Sequence, residues 1–188
     1  LRRLITGLLP VPVLFLTAAE AAEPVDVQLV LAIDCSYSVD AREYELQRTG
    51  LASAFRNDEV LRAIQSGPYR SIAVAVVQWS NHYSQILAVP WTKIESRADA
   101  DQLAVQLERL PRLSPLGATS ISAMLQYSTA IIAGSPYQGT RQIIDVSGDG
   151  RNNNGTELEP VRNTTMLTGI IINGLAVLTD DPTLDYYF

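Results

Sequence analysis

The sequence predicts an α/β domain with a doubly wound, mostly parallel central sheet, one antiparallel edge strand and helices on both faces. Residues 27–33 (VQLVLAI), 71–79 (SIAVAVVQW) and 170–178 (IIINGLAVL) are short apolar runs rich in β-branched side chains, the pattern of strands buried on both faces. Stretches with helical apolar spacing separate such runs, and strands alternating with helices build a parallel sheet covered on both sides. The chain has 188 residues, 47% hydrophobic and 18% charged, which suits one globular domain and is too apolar for a disordered segment.

The first strand ends at Asp34. Asp40 is placed to cap a helix from Ala41 to about Phe55, on which Tyr44, Leu51, Ala54 and Phe55 recur at helical spacing. Asp58 opens a second, short helix that stops near Gly67-Pro68. The strand over 71–79 is linked by Asn81-His82-Tyr83 to a third strand over 85–89, a spacing that suits an antiparallel hairpin at a sheet edge, and Pro90 supports the edge position. Ser96 caps a helix through Arg109, with Leu103, Val105, Leu107 and Leu110 toward the sheet. A Pro-Gly loop over 111–118 leads to a helix over 120–133. A fourth strand over 140–146 opens into a polar loop over 147–155, and a helix over 157–167 tolerates Pro160 in its first turn. The fifth strand is 170–178.

The amino terminus has a different character. Arg2 and Arg3 precede a short apolar run broken by Pro10 and Pro12, followed by Ala19-Glu20-Ala21. This three-part pattern predicts a secretory signal over 1–21, cut after Ala21, and not a membrane anchor, which needs about 20 uninterrupted apolar residues. Residues 22–188 then form the domain, periplasmic or secreted, with no stable membrane span after signal removal. Formal net charge is −6, with pI near 4.7, and loss of Arg2, Arg3 and Glu20 makes the mature domain more acidic still. A broad cationic surface for nucleic acid is therefore absent. Cys35 is the single cysteine, so no disulfide forms within the chain.

In folds of this class ligands bind beyond the carboxyl ends of the strands, where strand order reverses. The loop after the first strand reads Asp34-Cys35-Ser36-Tyr37-Ser38. Alternate side chains on an extended segment point the same way, so the carboxylate and two hydroxyls converge. Gly117-Ala118-Thr119-Ser120 opens the helix over 120–133, and Asp149 follows the fourth strand. Together Asp34, Ser36, Ser38, Thr119 and Asp149 offer only carboxylate and hydroxyl oxygens, the donors preferred by Mg²⁺, Mn²⁺ or Ca²⁺.

A strand ending in Asp-x-Ser-x-Ser, a Gly-x-Thr-Ser helix start and a later strand ending in Asp-Gly, in that order, resemble the metal-ion-dependent adhesion site (MIDAS) of the von Willebrand factor type A fold. The Asp-Val-Ser-Gly-Asp-Gly loop and the Ile-Asn-Gly-Leu strand resemble more closely a secreted bacterial subfamily of unknown function, DUF1194-like. The resemblance implies that Ser36 and Ser38 bind the ion directly, that Thr119 binds it directly or through water, and that Asp34 and Asp149 hold its waters or bind as the site rearranges. It also implies a partner protein whose acidic side chain completes the coordination shell. Relative to that fold, the chain is expected to lack a sixth strand and final helix.

Other readings attach to the same residues. Asp145 competes with Asp149 for the third loop, although Asp149 is followed by Gly150 where the backbone must turn. A metal-assisted hydrolase, acting on phosphate esters with Asp34 or Asp145 as nucleophile or base and Arg151 as clamp, is the rival function. Cys35 and His82 lack a third group to orient them as a thiol enzyme would need. Tyr37, Trp79 and Tyr83 line the metal's surroundings or pack against helices. Asn152-Asn153-Asn154-Gly155 reads most simply as a polar turn, with a second reading as shaping the rim of the site.

Overall fold

The computed structural model describes residues 21–177. The expected signal, apart from Ala21, and the chain beyond Val177 lie outside the described residues. Within them the elements run β1 (Glu23–Asp34), α1 (Ala41–Arg56), α2 (Asp58–Ile64), β2 (Ile72–Trp79), β3 (Gln85–Ile94), α3 (Arg97–Arg109), α4 (Ile121–Ala133), β4 (Tyr137–Gly148), α5 (Leu158–Leu167) and β5 (Ile171–Ala176).

The sheet order is β3-β2-β1-β4-β5. β1 lies parallel to both β2 and β4, β5 is parallel to β4, and β3 runs antiparallel to β2 at the edge. The predicted topology therefore holds. Because side chains alternate across a strand, β1 feeds two cores. Val27, Leu31 and Ile33 pack with Phe55 of α1 and with Leu103 and Leu107 of α3 on one face. Val30 and Ala32 pack with Met124 and Leu125 of α4 and with Ile144 on the other. Each fully buried Leu, Ile or Val side chain contributes about 1.5–3 kcal/mol. Gln28 is buried on the second face, yet its amide donates to Ile132 O and accepts from the Gly139 N–H, so its polar atoms have partners.

Asp40 and Ser96 cap α1 and α3 as the sequence suggests. Each cap is reciprocal, with Glu43 and Asp99 respectively reaching back to the cap backbone. Two expected core positions differ. Val105 is 37% exposed, because the buried stripe of α3 follows Ala100, Leu103, Ala104 and Leu107. Ala54 faces solvent, and Gln47 joins Tyr44 and Phe55 on the buried side of α1.

Three strands are longer than their apolar runs. β1 and β4 extend through polar residues that pair with each other, Glu23 with Tyr137 and Pro24 with Gln138. β3 continues past Pro90 to Ile94. Its register against β2 shifts between the Val74–Thr92 and Val76–Val89 pairs, so the residue lacking an N–H falls in an edge-strand irregularity, where it interrupts no regular ladder.

Strand order reverses at β1, since the chain goes from β1 to β2 on one side and returns to β4 on the other. The loops leaving β1 and β4 therefore open side by side, and the start of α4 lies next to them. Hydrogen bonds fix this neighbourhood: the Tyr37 N–H donates to Gly117 O, and the Asn153 N–H donates to Thr119 O.

Candidate metal centre

Asp34 ends β1 with no exposed surface. Its Oδ1 accepts the Ser36 N–H at 2.7 Å, and its Oδ2 is buried without any hydrogen-bond partner. Burial pushes the carboxyl up to about 7, the hydrogen bonds from Ser36 work against that, and the nearby Asp149 charge adds to it. A buried carboxylate with an orphaned oxygen calls for a proton or a cation.

The loop after Asp34 turns instead of staying extended. The Val39 N–H donates to Ser36 O at 3.2 Å, and this turn brings Ser38 Oγ within 3.1 Å of Ser36 Oγ. Ser38 Oγ in turn donates to Asp149 Oδ1 at 2.7 Å, which joins the first and third loops. Thr119 enters from the second: a methyl group placed on Gly150 would lie 3.1 Å from Thr119 Oγ1 and 3.6 Å from Ser38 Oγ. The five predicted residues thus gather at the carboxyl ends of β1 and β4. Ser36 and Thr119 are buried, Ser38 is exposed and Asp149 is half-buried, so the approach from solvent lies on the Ser38–Asp149 side.

These spacings fit a hard cation. Two oxygens held side by side on an octahedral Mg²⁺ lie about 3 Å apart, close to the separations from Ser36 to Ser38 and from Ser38 to Asp149. Among the described residues no three histidine, cysteine, aspartate or glutamate side chains gather as a ligand group. An ion at this position would accordingly lean on hydroxyls, with Asp34 and Asp149 supplying the charge.

Asp145 is elsewhere. It lies inside β4, paired with Leu31 and Asn173, and its carboxylate accepts from Asn173 Nδ2 at 2.7 Å. It lines a cavity of about 200 Å³ with Leu31, Leu51 and Leu175 on the α1 face, and burial raises its pKa. Of the two rivals for the third loop, Asp149 is the one in contact with Ser38.

Several supporting residues carried no signal in the sequence. Arg112 donates to Val39 O at 2.7 Å and to Ser36 O at 3.4 Å, and its guanidinium sits 5.3 Å from the Tyr44 ring centre. Gln47 donates to Asp34 O. Cys35 points away from the serines toward Gln78 Oε1, with its thiol pushed up to about 11 by burial, and His82 is held by Asn154. The two groups share no contact of the kind a thiol enzyme requires. Trp79 is fully buried in the second core, while Tyr37 and Tyr83 are largely exposed.

The sheet order and the helices on both faces give the chain a von Willebrand factor type A-like fold. The chain belongs to the family described as "Protein of unknown function (DUF1194)", whose model matches residues 24–188. No curated protein matches it. Among solved structures it is similar to proximal thread matrix protein 1 from the mussel byssus, in the form with a zinc-occupied MIDAS motif. That similarity has 15% identity and a TM-score of 0.64, and covers 84% of this chain and 39% of that one. It is also similar to the pilus adhesin SpaC from Lactobacillus rhamnosus GG in its open conformation, with 17% identity, a TM-score of 0.57, and 84% and 25% covered. A von Willebrand factor type A protein from Catenulispora acidiphila matches with 15% identity, a TM-score of 0.50, and 80% and 33% covered. This chain spans two-fifths or less of each of those proteins. Among the described residues no helix is long and apolar enough to cross a membrane.

Proposed function

We propose that the protein is an exported binding module in which a divalent cation, Mg²⁺ or else Mn²⁺ or Ca²⁺, is held by Ser36, Ser38 and Thr119. Asp34 and Asp149 act through water or directly, and an acidic side chain of a partner protein completes the shell. The observation that carries this reading is the run of oxygens from Ser36 through Ser38 to Asp149, at 3.1 and 2.7 Å, beside the orphaned Asp34 Oδ2. The ion supplies positive charge that neutral hydroxyls leave largely uncancelled, so an external carboxylate is attracted to it. Tyr37, Tyr83 and Leu116 are exposed on the surrounding loops and suit apolar side chains flanking that carboxylate. The zinc-occupied MIDAS of the byssus protein and the adhesin role of SpaC support the same reading. The hydrolytic reading has less support, because Asp34 has no exposed surface and Asp145 faces a cavity on the α1 side.

The test is thermal unfolding of chelator-treated protein titrated with each cation. At about a hundredfold excess over Kd, binding adds about 2.7 kcal/mol, a rise of roughly 5–10 °C for a domain of this size. Ser38→Ala and Thr119→Ala are expected to remove most of that rise. An unchanged melting temperature with all three cations would sink the proposal.

The response is also expected to depend on pH. Asp34 holds its proton up to about pH 7 in the folded, metal-free protein, and a cation must displace it. Affinity should therefore fall by up to about tenfold per pH unit below about pH 7 and level off above it. Calorimetric titration with Mn²⁺ across that range checks the slope, and a flat profile contradicts it.

A further inference from the structure

Three consecutive asparagines after β4 grip two distant segments, the start of α4 and the link between β2 and β3. Asn152 Oδ1 accepts the Ser122 N–H at 3.0 Å in the first turn of α4, while its Nδ2 donates to Thr156 O at 3.1 Å. Asn153 Oδ1 accepts the Thr119 N–H at 2.9 Å, and the Asn153 N–H donates to Thr119 O at 2.9 Å. Asn154 Oδ1 accepts the His82 N–H at 2.9 Å and lies 2.5 Å from His82 Nδ1. A free polar turn would spend its side chains on its own backbone and on water. Here most of these contacts reach across the molecule.

The middle member has the greatest consequence. Thr119 is 2% exposed, so its backbone N–H and C=O must find partners inside the protein. Asn153 satisfies both, one with its side chain and one with its main chain. The loop also passes Thr119 on its other side, since a methyl group on Gly150 would meet Thr119 Oγ1 at 3.1 Å. At its far end Gly155 has φ +81 and fits so closely that a methyl group there would come within 2.7 Å of Ser120 Oγ. The loop that carries Asp149 is therefore wrapped along Thr119, and those two residues are fixed as one unit.

We propose that Asn153 is the positioning residue that sets Thr119 relative to Asp149, so that the second and third loops present their oxygens to the cation together. This rests on the metal-binding reading above. Asn is suited to the task because its amide oxygen reaches the Thr119 N–H at 2.9 Å. Asp preserves the acceptor, whereas Ala leaves a buried N–H unpaired.

The experiment measures Mn²⁺ affinity and the hydrogen exchange of the Thr119 amide in wild type, Asn153→Ala, Asn153→Asp and Asn154→Ala. Residues that orient metal ligands usually matter by about 10–100-fold in affinity. Asn153→Ala is expected to weaken Mn²⁺ by that factor and to speed Thr119 exchange at least about tenfold. Asn153→Asp is expected to restore slow exchange and bind Mn²⁺ at least as tightly as wild type. Asn154→Ala, which loosens the same loop without touching Thr119, should stay within about threefold of wild type, the range left for a side chain with no ligand contact. An Asn153→Ala protein that binds Mn²⁺ within about twofold of wild type, or an equal loss in Asn154→Ala, overturns the inference alone. Wild-type protein that takes up no Mn²⁺ overturns the metal reading and this inference with it.

Discussion

Replacing Asp34 with Asn is expected to make the metal-free protein more stable at about pH 8 and at the same time deaf to divalent cations. The two effects share one cause. Asp34 has a folded-state pKa near 7 against an ordinary 3.8, raised first by burial. A carboxyl with a raised folded pKa binds its proton more tightly in the folded than in the unfolded state, so it costs nothing below about pH 4. The cost grows between about pH 4 and pH 7 and is constant above, where it reaches on the order of 4 kcal/mol. Asn keeps the acceptor used by the Ser36 N–H and removes the charge. Part of that cost should return as a rise of several degrees in the melting temperature measured in chelator, with a smaller gain at about pH 5. The cation's share of stability should vanish, because a neutral amide offers it little. A variant that melts lower than wild type in chelator at about pH 8 and still responds to Mg²⁺ would show that Asp34 is neither strained by burial nor part of a cation site.

The second large effect concerns Gly148, the last residue of β4. A methyl group there would stand 2.8 Å from Asp34 Oδ2 and 3.3 Å from Asp34 Cβ, and Asp34, with no exposed surface, has nowhere to retreat. Gly148→Ala is expected to cost about 1–3 kcal/mol of stability through overpacking. It should also weaken Mn²⁺ binding by about tenfold or more by shifting the carboxylate. Truncating Asp34 to Ala makes room for the added methyl, so the double variant should be more stable than the sum of the two single losses predicts, by about 0.5–3 kcal/mol. Denaturant unfolding of the four proteins in chelator measures this coupling. Strict additivity, or a harmless Gly148→Ala, would mean that the β4 end and the carboxylate do not press on each other.

Most of the architecture was legible because burial on both faces leaves an unbroken apolar record: β1 and β2 are found from their β-branched runs, and β5 is found from its apolar run too, although its residues are exposed or half-buried. Helix starts were legible where a cap writes itself in two residues, as Asp40 with Glu43 does. Strand ends were not, since Glu23, Pro24, Tyr137 and Gln138 pair through their backbones and leave no hydrophobic trace. The site divides in the same way. Asp34, Ser36, Ser38, Thr119 and Asp149 announce themselves by oxygen type and by position after strands or before a helix. The choice between Asp145 and Asp149 needed the register of β4, which puts Asp145 opposite Leu31 inside the sheet. Arg112 and Gln47 escaped because their partners are backbone atoms 73 and 13 residues away, and Asn153 is legible only as part of a polar turn or rim because its partner is a backbone atom 34 residues away. No local pattern encodes such a pairing.

The placement of Cys35 has a chemical consequence for how the molecule responds to oxidants. Its sulfur has no exposed surface and a pKa near 11, so at neutral pH only about one thiol in ten thousand is the reactive thiolate. Oxidants and neighbouring chains meet an inert atom as long as β1 stays paired with β2. Alkylation of that sulfur consequently counts excursions to the unfolded state, a clock for kinetic stability set directly after the strand that carries the first of the site's carboxylates.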